Sequence, residues 1–159
     1  METEFSEIRK QLSVVYYAQY GTYLLLVILF GYLLKDKETF MTIDPLSQTG
    51  QIVSYAVIMY VIASIPGALW WFKKQMKKMN EPGQEIAMEE KKKRYTGYAS
   101  IRMALIGLGA VMAIIAFYYL GNNQPMLWCA GIAIVAQFFC KPSDRKIYLE
   151  INNKTEDDL

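Results

Sequence analysis

Between Thr22 and Leu34, and again between Met103 and Leu120, no charged side chain occurs on any helical face. A water-soluble helix of that length shows an apolar stripe and a polar side, whereas one that is apolar all round needs lipid or protein on every side. Four such blocks are present, about Leu12 to Leu34, Ile52 to Phe72, Ile101 to Leu120 and Pro125 to Cys140. At about 1.5 Å rise per residue each approaches or exceeds the roughly 30 Å hydrocarbon core of a bilayer. The expected fold is all-α, an integral membrane four-helix transmembrane bundle. A hydrophobic fraction of 53% would also suit a soluble domain of 159 residues, so the clustering, rather than the amount, decides the class.

The loops give the bundle a direction. Of the 17 Lys and Arg residues, two lie in the N-terminal arm, two between blocks one and two, eight between blocks two and three, and four after block four. Arg102 sits just inside block three, and none separates blocks three and four. Four crossings then put 15 basic residues on one face and two on the other. That is the positive-inside pattern, with N and C termini cytoplasmic. The expected location is the cell inner (plasma) membrane, multi-pass. Residues 1–142 read as the four-span domain, with spans at about 12–34, 52–72, 101–120 and 125–140 and a cytoplasmic helical hairpin at 73–100. Residues 143–159 read as a cytoplasmic tail.

Local signals add detail. The first block is too long for a signal-peptide core, and no small-residue cleavage motif follows it, so it is expected to stay attached as an anchor. Phe5, Ile8 and Leu12 recur at helical spacing, predicting either a short interfacial helix or an early start of helix one. Lys35 to Glu38 mark the exit into water, and Ser47 or Thr49 is placed to cap the next helix. Pro66 frees the carbonyl of Ile62 and predicts a kink. Trp70, Trp71 and Phe72 directly precede Lys73 and Lys74, an aromatic girdle at a charged edge. Asn80 to Gly83 is the strongest turn signal, and Glu89 with Lys93 and Glu90 with Arg94 have the i, i+4 spacing that supports a following helix. Gly121 to Gln124 is so short that blocks three and four must be antiparallel neighbours. In the tail, Ile147, Leu149 and Ile151 are ambiguous between a short helix and a strand, and Glu156 to Asp158 end the chain in acid.

Small residues recur in block three at Gly107, Gly109, Ala110, Ala113 and Ala116, and in block four at Ala130, Gly131, Ala133 and Ala136. They let backbones approach where lipid removes the hydrophobic drive, and the preferred reading is packing within one chain over a dimer surface. Tyr16, Tyr20 and Tyr23 share a face of block one with Gln19; Tyr16 suits the inner interface, whereas Tyr20, Tyr23 and Gln19 lie deep enough that their polar atoms should face protein. Gln19, Tyr20, Arg102 and Gln137 fall at similar depth and form the candidate inner-leaflet polar pocket, suited to an anionic headgroup or small anion. The competing reading is that Arg102 snorkels to lipid phosphate and each glutamine bonds a backbone.

Mechanism is bounded by what is missing. Membrane-embedded Asp, Glu, Lys and His are absent from the block interiors, which disfavours proton-coupled antiport. No Ser and His pair, carboxylate pair or glycine-rich phosphate loop is arranged for catalysis, so no catalytic residue, cofactor or metal is assigned. Cys129 and Cys140 would lie about 16 Å apart on a helix, beyond disulfide reach, and read as packing residues. Lys73, Lys74, Lys77, Lys78, Lys91, Lys92, Lys93 and Arg94 are explained by topology and are also the candidate contact for anionic lipid or an acidic partner. Nucleic acid is not expected, and the Asn153-Lys154-Thr155 acceptor is silent in a cytoplasmic tail.

The leading functional expectation is a non-enzymatic accessory, scaffolding or regulatory subunit, acting through helix packing and its basic surface, with lipid, a membrane protein or another copy as partner. The alternative is a small oligomeric channel or facilitator for a small solute or anion lined by the Tyr and Gln face of span one. A membrane enzyme ranks third.

Overall fold

The computed structural model describes residues 5–33, 43–81 and 86–152. The described residues form five helices: α1 Ser6–Leu33, α2 Gln48–Met79, α3 Met88–Tyr119, α4 Gln124–Phe138 and α5 Asp144–Asn152. Among the described residues all regular structure is thus helical. Helices α1, α2 and α3, with 28, 32 and 32 residues, are long and apolar enough to cross a membrane. Helix α4 has 15 residues, about 22 Å of rise, and is shorter than a hydrocarbon core. The signals expected at Lys35 to Glu38, Pro82, Gly83, Asn153 to Thr155 and Glu156 to Asp158 lie outside the described residues.

Helix α3 is the centre of the assembly and packs against each of the other four. Half of its most apolar stretch is buried inside the protein, against 17% for α1 and for α2. Small residues explain why one helix can serve so many neighbours. Ala110 and Ala113 on α3 and Ala130 and Ala133 on α4 are buried in one apolar core. Gly109 instead meets Val61 of α2, where an added Cβ would lie 3.4 Å from Cγ2, and Gly107 faces α1. Gly131 has nothing within 4 Å, so this small residue takes no part in the seam.

The helix ends follow from local chemistry. Ser47 caps α2, its hydroxyl accepting from the Gly50 N–H at 3.0 Å. Gly50 leaves room for the preceding turn, since a Cβ there would collide with the Asp44 carbonyl. Pro66 sits inside α2 without ending it. Helix α3 closes in a Schellman arrangement: the Asn122 N–H reaches the Phe117 carbonyl at 2.9 Å and the Gly121 N–H reaches Tyr118 at 3.3 Å. Gly121 adopts φ 64° there, as that motif requires. Pro125 opens α4 in its first turn. At α5, the Ser143 hydroxyl accepts from the Lys146 N–H at 3.3 Å, and Pro142 precedes it.

Helix α1 begins early, at Ser6, and Phe5, Ile8 and Leu12 are core residues. They join Phe72, Met76, Met79, Tyr95, Ala99, Met103, Ile147 and Ile151 in a second core at the far end of the bundle from the α3–α4 turn. The ambiguous tail segment resolves as helix α5, because Ile147 and Ile151, one turn apart, are both fully buried against that core. Helices α2 and α3 continue as unbroken helix beyond Phe72 and before Ile101. Lys91 Nζ donates to Asn80 Oδ1 at 3.2 Å across their ends.

Candidate functional site

Two polar clusters are embedded in this packing. The first joins α1 and α4 over α3. Gln137 is completely buried; its amide nitrogen donates to Gln19 Oε1, and its Oε1 accepts from the Tyr23 hydroxyl. Tyr20 donates to the Ile134 carbonyl at 3.3 Å, and Tyr16 donates to Tyr20 at 3.4 Å. Tyr17 points out, 61% exposed, as the face pattern requires. The cluster has room because position 107 is glycine: a Cβ there would lie 2.9 Å from the Tyr23 hydroxyl and 3.0 Å from Gln19 Nε2. Gln19, Tyr20 and Gln137 therefore come together, with Tyr23 as a fourth member.

The second cluster lies about 7.5 Å along α3, five residues nearer the hairpin, and holds Arg102. Its guanidinium stacks on Phe72, 3.9 Å from the ring centroid, and Nη1 reaches Glu150 Oε1 of α5 at 3.4 Å. Tyr95 donates to the other oxygen of Glu150 at 2.5 Å. Arg102 is thus buried with a carboxylate and an aromatic face as neighbours, and the glutamine cluster is not among its contacts. Its Nε has no hydrogen-bond partner. Burial, reinforced by the Glu150 carboxylate, holds the Tyr95 phenol well above the ordinary tyrosine range, so it stays a donor.

Glu150 was the member of this cluster that sequence reasoning did not single out. The available signal was its setting: a lone carboxylate between Leu149 and Ile151, in a chain whose third block opens with an arginine no other residue had been assigned to neutralise.

Helix α5 is fastened by further contacts at the same end. Arg9 of α1 pairs with Asp144 at 2.6 Å, Asn80 of α2 donates to the Ile151 carbonyl at 2.9 Å, and Phe5 meets Tyr148 edge-on at 6.1 Å. Around this junction stand the basic residues. Lys73, Lys74, Lys77, Lys78, Lys93 and Arg94 are exposed, while Lys91 and Lys92 are half-buried. Lys74 lies over the Trp70 ring at 4.9 Å, and Arg94 pairs with Glu90 at 2.7 Å. Trp71 packs edge-on against Tyr98 at 5.5 Å, so α2 and α3 both carry aromatic rings at one level.

Among the described residues, no group of three His, Cys, Asp or Glu side chains could hold a metal ion, and Cys129 and Cys140 are buried free thiols. What the arrangement can do chemically is bind charge at its basic end and hold helices in register through buried amides. No family model, curated protein or solved structure matches the chain.

Proposed function

We propose that this is a non-enzymatic integral membrane protein that acts through its packed helices and a basic cytoplasmic surface, as an accessory, scaffolding or regulatory subunit. In this reading α4 makes the fourth crossing, and both termini lie in the cytosol of a cell whose inner membrane holds the bundle. The observation that carries it is the meeting of three separate chain segments at one end. The start of α1 bonds α5 through Arg9 and Asp144, and the end of α2 bonds α5 through Asn80 and Ile151. Helix α4 must therefore run from the α3–α4 turn back to the end bearing α1's start and the α2–α3 connection. An even number of crossings follows if α1 crosses, and the exposed lysines at that end supply the cytoplasmic sign.

The shortness of α4 is tolerable on physical grounds. Exposed Phe138 ends the helix and exposed Phe139 carries the apolar surface one residue past it, and bilayers thin locally around short spans at modest cost. The amide of the fully buried Gln137 is engaged at both ends, its oxygen by the Tyr23 hydroxyl and its nitrogen by Gln19 Oε1, which leaves it unavailable to line an aqueous path. That favours the accessory role over the channel reading.

Reconstitution tests the proposal. Purified protein in vesicles should leave an ion gradient undisturbed and run as a defined small species on sizing. A sustained flux that depends on Gln19 or Tyr20 would replace this reading with the channel.

A further inference from the structure

An arginine guanidinium presents a fork of N–H donors. That of Arg102 makes one hydrogen bond among the described residues, Nη1 to Glu150 Oε1 at 3.4 Å. Its side chain is 6% exposed, and Nε is buried without a partner. We propose that Arg102 is the receptor for a phosphate group and that α5 is the lid over it, with the Glu150 carboxylate holding the place until the phosphate displaces it. This deepens the regulatory membrane reading above and rests on it.

The resident carboxylate is a poor match for the guanidinium. A fork of Nε and Nη takes two oxygens of one anion side by side, in bonds of about 2.7–2.9 Å. Glu150 cannot supply both oxygens, because its Oε2 accepts from the Tyr95 hydroxyl at 2.5 Å and only Oε1 faces Arg102. A phosphate has oxygens enough to engage Nε and Nη together and to accept from Tyr95 as well. Depth suits the same ligand. The Phe72 ring under the guanidinium, with its centroid 3.9 Å away, follows Trp70 and Trp71 and precedes Lys73. Arg102 is thus set at the level of the aromatic girdle, where inner-leaflet phosphates lie.

The lid is built to lift. Helix α5 has nine residues, too few to persist alone. Residues 141–143 between it and α4 belong to no helix, and Pro142 blocks a continuous one. Its second ion pair is incomplete too: Asp144 Oδ2 meets Arg9 at 2.6 Å, while Asp144 Oδ1 is buried without a partner. Once lifted, Ile147, Leu149 and Ile151 can lie in the bilayer interface, which offsets the packing they leave. With Glu150 docked, Arg102 is closed to a phosphate, and with α5 lifted it is open, so the anion binds one state and shifts the balance toward it. Under the lid lies Cys140, 3% exposed and in one core with Phe72, Tyr95, Ile147 and Ile151, so its thiol reports lifting.

The test measures the rate at which N-ethylmaleimide modifies Cys140 in the full chain carrying Cys129→Ala. The protein is held in three settings of equal ionic strength: phosphatidylcholine nanodiscs, the same discs with phosphatidylglycerol added, and phosphatidylcholine discs with inorganic phosphate in the buffer. The choline lipid is the reference, because its own cation offsets its phosphate and is repelled by the exposed lysines. Phosphatidylglycerol should speed modification about fivefold, the low end of couplings carried by one conformational change. Acceleration by that lipid alone assigns the site to membrane phosphate, and acceleration by inorganic phosphate assigns it to a soluble one; both support Arg102 as the receptor. Glu150→Gln should be modified fast in all three settings. Arg102→Met combined with Glu150→Gln should keep α5 down by its apolar face and be modified slowly in all three. Equal wild-type rates in the three settings, or an acceleration that survives in the double variant, overturns the proposal. Recovery of the protein in solution without detergent would remove the membrane reading, and inorganic phosphate would then be the arm that decides.

Discussion

Gly107 of α3 and Gln19 of α1 stand so close that a Cβ at position 107 would lie 3.0 Å from the Gln19 amide nitrogen. The absence of a side chain at one position is thus what admits a hydrogen-bonded amide between three apolar helices. Gln137 donates to Gln19 there and accepts from Tyr23, and losing either bond at that depth would leave a buried polar group without a partner.

Gly107→Ala should therefore destabilise the bundle by about 1–2 kcal/mol, because Gln19 and Tyr23 can retreat from the new methyl only by loosening their bonds to Gln137. Gly131→Ala meets nothing within 4 Å and should change stability by less than about 0.5 kcal/mol. Thermal unfolding of both variants in one detergent checks the contrast. Equal midpoints for the two would show that the clamp carries no stability.

Glu150→Gln should release α5. The substitution leaves the Arg102 guanidinium buried with Phe72 but without a carboxylate, at a cost of about 2–3 kcal/mol given that Glu150 is partly exposed. Limited trypsin digestion reads this directly, since Arg145 and Lys146 lie within α5. Cleavage there should speed up about tenfold or more, and Arg102→Met combined with Glu150→Gln should slow it again by removing the orphaned charge. A double variant as sensitive as Glu150→Gln alone would mean that α5 is held by its apolar face only.

Alkaline pH should act on the same latch. Tyr95 is raised above its ordinary value of 10.0 by burial and by the Glu150 carboxylate, so its protonated form is the one folding favours. That contribution is complete below pH 10 and is lost as pH climbs from there toward the folded-state value. Trypsin sensitivity of α5 should stay flat up to about pH 10 and then rise, and Tyr95→Phe should flatten the rise. An alkaline limb of the same steepness in Tyr95→Phe would assign it to other groups.

How much of this was legible beforehand depended on what kind of signal each part sends. The long apolar helices, a cap at Ser47 or Thr49, the Gly121 turn and the shared face of Tyr16, Tyr20 and Tyr23 were readable, because periodicity and capping are local properties. The grouping of Gln19, Tyr20 and Gln137 could be anticipated from depth alone, since uncharged polar residues far from water must find one another. The partner of Arg102 could not. Depth placed it with the glutamines, but its contact is chosen by how α5 folds back, a tertiary event with no local pattern. The alternation of Ile147, Leu149 and Ile151 likewise suits a strand or a helix until Phe5, Met76 and Tyr95 supply the surface that selects the helix.

The most direct test of the account is the side of the membrane on which the α2–α3 connection lies. In a background with Cys129→Ala and Cys140→Ala, single cysteines introduced as Glu81→Cys and Asn122→Cys can be probed with a membrane-impermeant maleimide. On intact cells the account predicts labelling at position 122 and none at position 81 until the membrane is permeabilised. Labelling at position 81 on intact cells, or at both positions alike, would contradict it.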